Sequence, residues 1–446
     1  MIQSLRAINK QNSPSQGVRG RLQRRRRMAR IIKTVGLASG DILSLSVMNG
    51  DTYLDSNVSI AELNELINSP ILRPRYRIFL LHPDETIDYQ IPDEDILLSG
   101  SSYSEQYQNG QRRSLSFSLY NTDKKYTPSV NTLWAESKFA LDLGIEKDDG
   151  SIVWKRSGVY VASSLTPSEG TDSQTVAVQT GDKFSIFEGK TGTLETSYEI
   201  PSGTDIEDAI RGILLGSKGN GYPLDPSPII YHSSFKGKKT QAKISKSAGE
   251  TLGSILLELA NQLSAEMFYN ANGNLTILPT QETTLDIDKP VICYLNDENG
   301  DFSGLSFGLQ MSNIVNRVVV IGATVNGKVY TATAVNDDST SPLCYQRIGY
   351  RTGQIVNDSN ITSQDLADDR SKYELRKQLI LKSSVNVSIS FNPLLSVNNL
   401  IEITDEFFGL DHERFLLQGI SCSLDYSGSM SITVSNVRNL PFASRI

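Results

Sequence analysis

Along much of the chain apolar and polar residues alternate with a period of two, the pattern of strands that lay one face on a core. It is clearest over Arg75–Leu81, Ser114–Tyr120, Gly158–Ser163, Thr175–Gln179, Val385–Phe391, Phe415–Ile420 and Met430–Ser435. Asn-Gly or Asp-Gly pairs punctuate the strands at Asn49-Gly50, Asn109-Gly110, Asp149-Gly150, Asn272-Gly273, Asn299-Gly300 and Asn326-Gly327. These residues accept the positive φ that two-residue hairpin turns require. Two hairpins are therefore predicted directly: Arg317–Ile321 with Val329–Thr333, and Glu266–Tyr269 with Leu275–Leu278. Helical periodicity is confined to Ala61–Asn68, Asp205–Leu215, Leu252–Ser264 and Ser363–Leu381, the last rich in charge pairs four residues apart.

The layout is mainly β with an α+β middle. At 446 residues the chain is too long for one ordinary core. The predicted division is a basic N-terminal arm over residues 1–33, a small extension over 34–75 and a first β-barrel domain over 76–190. An α+β domain over 191–285 follows, and then a second β-barrel domain over 286–446 with an inserted helix at about 363–381. With 38% apolar and 21% charged residues, the composition supports sizeable cores and excludes wholesale disorder.

Charge changes this picture at one end. Ten Lys or Arg and no acid lie between Met1 and Lys33, so the rest of the chain carries −17 against −7 for the whole. An acidic body offers no continuous positive surface for duplex nucleic acid. The arm, with the run Arg24, Arg25, Arg26 and Arg27, is the one candidate binding segment, either for an acidic surface on a neighbouring protein or for DNA. It has too few apolar groups to order itself. Cys293, Cys344 and Cys422 are few and far apart, which points to buried thiols in a reducing compartment. Neither a membrane-spanning apolar stretch nor a signal-peptide pattern occurs, so the chain is expected to be made in the cytoplasm.

No catalytic, cofactor-binding or metal-binding residue is predicted. Gly189-Lys190-Thr191 ends like a phosphate loop, but Phe184 stands where that loop needs its first glycine. Gly216–Gly221 is glycine-rich but follows a helix, whereas a dinucleotide loop opens one. His82, His232 and His412 are isolated, and the acidic clusters Asp93-Glu94-Asp95 and Asp368-Asp369 read as solvated.

The second half resembles the baseplate hub family of contractile phage tails, which has relatives among siphophage tail-tip proteins and prophage injection particles. The resemblance rests on Glu250–Ala260 followed by Ala265–Tyr269 and Gly273–Pro279, a helix and then a hairpin turning on Asn-Gly. It continues with Ser312–Gly322, the helix Leu366–Leu379, the strand Val385–Ser390, and Asn392–Leu395 before Leu400–Ile403. Arg414–Ile420 and Met430–Val434 also fit, and Tyr76–Leu81, Arg113–Asn121 and Trp154–Val161 look like strands of the hub's first barrel.

The resemblance spans about residues 76–446. It implies two tube-protein-like β-barrels per subunit and a homotrimer that adapts a hexameric tail tube to a central spike while lining the ejection channel. The partners it implies are the tail tube protein, central spike, tape measure protein and baseplate wedge proteins, with transient contact to DNA in the channel and the virion baseplate as location. Other tail-tip, tail-tube initiator or baseplate components built from similar barrels remain open, as does a tail-associated cell-wall hydrolase.

Overall fold

The computed structural model describes residues 66–67, 72–122, 124–127, 133–170, 173–279, 291–308, 314–325, 327–339, 341, 343–353, 355–359, 361–380 and 384–436. The basic arm, most of the extension, the Asn49-Gly50 turn and most of Ala61–Asn68 lie outside these residues. Leu66 and Ile67 are helical and pack on the largest core.

The first seven strands are β1 (Pro74–Leu81), β2 (Ile87–Gln90), β3 (Ile96–Gln106), β4 (Arg113–Tyr120), β5 (Lys138–Glu146), β6 (Ile152–Glu169) and β7 (Gln174–Asp182). They hydrogen-bond in the order β3-β4-β7-β6-β5-β1-β2. β4 alternates buried with half-buried residues because one face covers the core. β5 is buried almost throughout. Its Phe139, Leu141, Leu143 and Ile145 enter the main core, while Ala140 packs with Phe79, Leu81 and Val159 behind it.

A helical turn α1 (Phe184–Glu188) opens the middle region. There β8 (Tyr198–Ile200) pairs with β10 (Ile244–Lys246), and β9 (Ile230–Tyr231), β11 (Ala265–Tyr269) and β12 (Leu275–Pro279) form a three-stranded sheet. Helix α2 (Ile206–Leu214) is capped by Asp205, which accepts from Asp208 N–H at 3.3 Å, and buries Ile206, Ile210, Ile213 and Leu214. Helix α3 (Leu252–Leu263) is capped by Thr251 and buries Leu252, Ile255, Leu256, Leu259 and Ala260. Both apolar faces close a second core with Phe184 and Phe187.

The last third contains β13 (Val291–Asn296), β14 (Phe302–Gly308), β15 (Arg317–Val325), β16 (Lys328–Val335), α4 (Tyr345–Ile348), β17 (Val356–Asn357) and α5 (Gln364–Ile380). It ends with β18 (Ser384–Ser390), β19 (Leu400–Asp405), β20 (Leu410–Ser423) and β21 (Ser429–Asn436). β14, β18, β21 and β20 continue the first sheet, because β20 pairs antiparallel with β3, Ile420 opposite Glu105. The result is a 13-stranded sheet with one large core drawn from both halves of the chain. The fold is mainly β, and both predicted hairpins form, Met267 facing Ile277 and Val320 facing Ala332.

One expectation changes. The sequence suggests only an inserted helix near 363–381, yet the Arg317–Val335 hairpin leaves the main sheet as well. It pairs with β17 in a sheet of its own and packs under α5 in a third core. The β15 face that carries Val318 and Val320 is covered by Ala367, Leu375 and Leu379 rather than by the neighbouring strands.

Candidate functional site

The most unusual chemistry among the described residues is a seam of buried charges where the first sheet, the middle region and the C-terminal strands meet. It begins at the Asn109-Gly110 turn that joins β3 to β4. Gly110, at φ +86, donates its N–H to Met267 O at 2.9 Å, and Asn109 brackets β11 by donating to Ala265 O and accepting from Met267 N–H. The turn therefore serves as a dock, and Arg112 and Arg113, just beyond Gln111, carry the charges inward.

Arg112 lays its guanidinium 3.6 Å from the centre of the Phe268 ring and reaches Glu266 at 3.4 Å. Glu266 accepts further hydrogen bonds from the Tyr107 hydroxyl at 2.7 Å and the Asn398 amide at 2.9 Å, so one carboxylate joins three regions of the chain. Arg113 pairs with Glu105 at 2.8 Å and donates to Tyr269 O. Asp182 accepts from the N–H groups of Arg112, Arg113 and Phe184 at 2.7, 3.0 and 3.0 Å. Burial pushes its carboxyl up to about 6 even though those donors pull it down.

Lys183 follows. Its ammonium has no exposed surface and donates to Asp225 at 2.5 Å, Ser227 at 2.6 Å, Glu85 at 2.8 Å and Gly273 O at 2.8 Å. Tyr269 closes the group on the other oxygen of Asp225 at 2.6 Å, and burial raises its phenol well above the usual range. Burial also opposes ionisation of Glu85, but Lys183 and Lys138 outweigh it and its carboxyl ends below the usual value. The Asn272-Gly273 turn sits directly on β6, and a Cβ at Gly273 would meet Val159 Cγ2 at 2.8 Å.

The arrangement holds regions together and leaves no room for a substrate. These charges are spent on fixed partners. The cavity beside them, lined by Tyr103, Arg113, Lys155 and Asn392 among others, has about 10 Å³, space for one water molecule. Ligand pockets run to about 300–1,000 Å³.

Arg24, Arg25, Arg26 and Arg27 lie outside the described residues. Gly189 follows the short α1 instead of opening a helix, and Thr191 bonds Glu136. The Gly216–Gly221 run trails α2, where Leu224 N–H returns to Gly216 O at 2.8 Å. His232 caps the turn Ser233–Phe235, His412 pairs with Glu402 at 2.7 Å, and His82 lies 3.6 Å from Asp88. Among the described residues, no group of three His, Cys, Asp or Glu could hold a metal, and no helix is long and apolar enough to cross a membrane. The thiols of Cys293 and Cys422 are pushed up to about 12 by burial.

The seam's residues carry no motif. The one local signal is the pair Arg112-Arg113 just after a hairpin turn that already marks a close approach.

This fold is shared by phage tail proteins and by VgrG-containing assemblies. In particular, the chain is similar to the 43 kDa tail protein of prophage MuSo2 from Shewanella oneidensis, with 15% identity and a TM-score of 0.55 over 82% of this chain and 99% of that one. It is similar to the tail protein from Neisseria meningitidis MC58, with 12% identity and a TM-score of 0.53 over 82% of this chain and 98% of that one. A chain of the Francisella PdpA–VgrG complex in its half-lidded form aligns with 98% of this chain and 67% of its own, at 9% identity and a TM-score of 0.51. No family model matches the sequence, and no curated protein sequence matches it.

Proposed function

We propose that the chain is a structural baseplate hub of a phage tail or a related injection machine. The observation that carries this reading is the likeness of fold along nearly the whole of two tail proteins, one of them from a prophage, over 99% and 98% of their lengths. In this reading residues 76–190 and the strands of 286–446 outside the Arg317–Ile380 insertion supply two tube-like barrels that share one sheet, and three copies form a pseudo-sixfold ring. The ring joins the tail tube to the central spike and lines the ejection channel in the virion baseplate, in contact with tape measure and wedge proteins. The role is geometric and not enzymatic. The buried seam suits it, because an adaptor that transmits load needs its parts held at fixed angles, and buried charges bonded across three regions of the chain favour one arrangement.

The arm has a part in the same reading. Arg24–Arg27 dock on an acidic surface of another protein in the assembly, either a neighbouring copy, whose body carries −17, or an acidic tape measure or tube protein, since guanidinium forks pair well with carboxylates. DNA in the channel is the rival partner.

Sedimentation equilibrium of the isolated chain tests the assembly. The expected species has three times the 49.1 kDa of one chain. A monomer or dimer at every concentration overturns the trimer, and antibody labelling of particles away from the tail tip overturns the location.

A further inference from the structure

The hairpin between β19 and β20 ends in two phenylalanines, Phe407 and Phe408, 88% and 38% exposed, with rings edge to face at 4.9 Å and 87°. Single exposed apolar residues need no explanation, but this pair is held out on a braced tip. Phe408 N–H donates to Asp405 Oδ1 at 2.8 Å, and Glu406 N–H donates to Asp297 Oδ2 at 3.0 Å on the turn after β13. Gly409, at φ +65, closes the tip by donating to Glu406 O at 3.2 Å.

The rim of the tip is acidic. Residues 297–301 and 402–414 together hold eight Asp or Glu against Arg414 and His412. A partner for this surface must bring apolar side chains and positive charge on the same short segment. Residues 24–33 of this chain, Arg-Arg-Arg-Arg-Met-Ala-Arg-Ile-Ile-Lys, do so, with six basic residues, no acid, and Met28, Ile31 and Ile32.

We propose that the Phe407-Phe408 tip receives residues 24–33 of another copy of the chain. Met28, Ile31 and Ile32 cover the rings, where thioether and guanidinium contacts with aromatic faces add attraction, and the arginines meet the carboxylate rim. The inference rests on the arm reading given above and is independent of the number of copies in the assembly.

Carbodiimide cross-linking of the full chain, with unlabelled and 15N-labelled copies mixed, provides the test. Lys33 is expected to join Glu406 or Asp411 between unlike copies. The Phe407→Ser variant, which keeps both carboxylates, should lower the yield about tenfold, because an exposed anchor is lost without disturbing the core. Raising salt from roughly 0.15 to 1 M should weaken the contact as well. Deletion of residues 1–33 separates the two readings. If deletion weakens self-association and the tip variant does not, the arm docks elsewhere and this inference falls alone. If neither has an effect, docking of the arm on a neighbouring copy falls too. Cross-links found only within single copies overturn the exchange between copies.

Discussion

Lys183 shows how far a single residue's environment can be pushed. An ammonium taken wholly out of water loses its hydration, and its surroundings must replace it. Four oxygen acceptors, two of them carboxylates, make up that solvation here. Lys183→Met removes the cation and leaves Asp225 buried without one, so a loss of about 3–5 kcal/mol in urea unfolding is expected. The Lys183→Met/Asp225→Leu double variant removes both charges and should recover part of that loss; if it is as unstable as the two single losses added, the pair is not coupled.

Asp182 acts in the opposite direction. Its folded carboxyl, at about 6, lies above the ordinary value of 3.8, so the fold binds that proton more tightly than the unfolded chain does. Its ionisation therefore costs stability progressively as pH rises from about 4 to 6, and the cost, roughly 3 kcal/mol, is complete above that window. Wild type should gain on Asp182→Asn by up to that amount between pH 7 and pH 4. A difference that stays constant across those pH values contradicts the assignment.

At the scale of elements, legibility follows burial geometry. β4, β18 and β21 announce themselves because each has a core face and an outer face. β5 does not: it is covered on both sides, and Lys138 and Asp142 interrupt its apolar run without being exposed. β3 shows no clean alternation, because Gly100 and four serines stand among its eleven residues, yet β20 and β4 flank it. The seam was hidden for a related reason. Asp182-Lys183 at a strand end looks like a solvated boundary, and only the approach of Asp225 and Gly273 from the middle region reveals otherwise. Turn glycines carry the same ambiguity, since positive φ and close packing look alike in sequence. Gly150 and Gly273 have φ +83 and +76, but a Cβ would meet nothing at Gly150 and Val159 at Gly273. Gly150→Ala should cost about 1 kcal/mol from backbone strain alone. Gly273→Ala adds overpacking worth about 1–3 kcal/mol. Equal melting temperatures for the two variants would mean that the hairpin can retreat from β6.

For the whole molecule, connectivity separates what carries the fold from what rides on it. The chain leaves the main sheet at Gly308 and returns at Ser384, and those two residues face each other as the last pair between β14 and β18. The described strands and long helix between them belong to a separate sheet and a separate core in which Val318, Val320, Leu375 and Leu379 pack among themselves. In the sequence this region looks continuous with the last barrel, because its strands alternate as theirs do; the difference lies in α5, which supplies a private cover. Opposed antiparallel residues are about 5 Å apart, a gap that a two-residue type I′ turn spans. Replacing residues 309–383 by Asn-Gly should therefore convert β14 and β18 into a tight hairpin and leave the 13-stranded sheet intact. The shortened chain is expected to unfold in one cooperative transition in guanidinium. Amide protection of β18, β20 and β21 should match the full chain, because their main-core contacts with Phe117, Phe139 and Phe391 do not involve the deleted core. A product that binds hydrophobic dye and melts without a transition would show instead that the insertion is part of the folding unit, and that the seam alone does not hold the main sheet and middle region together.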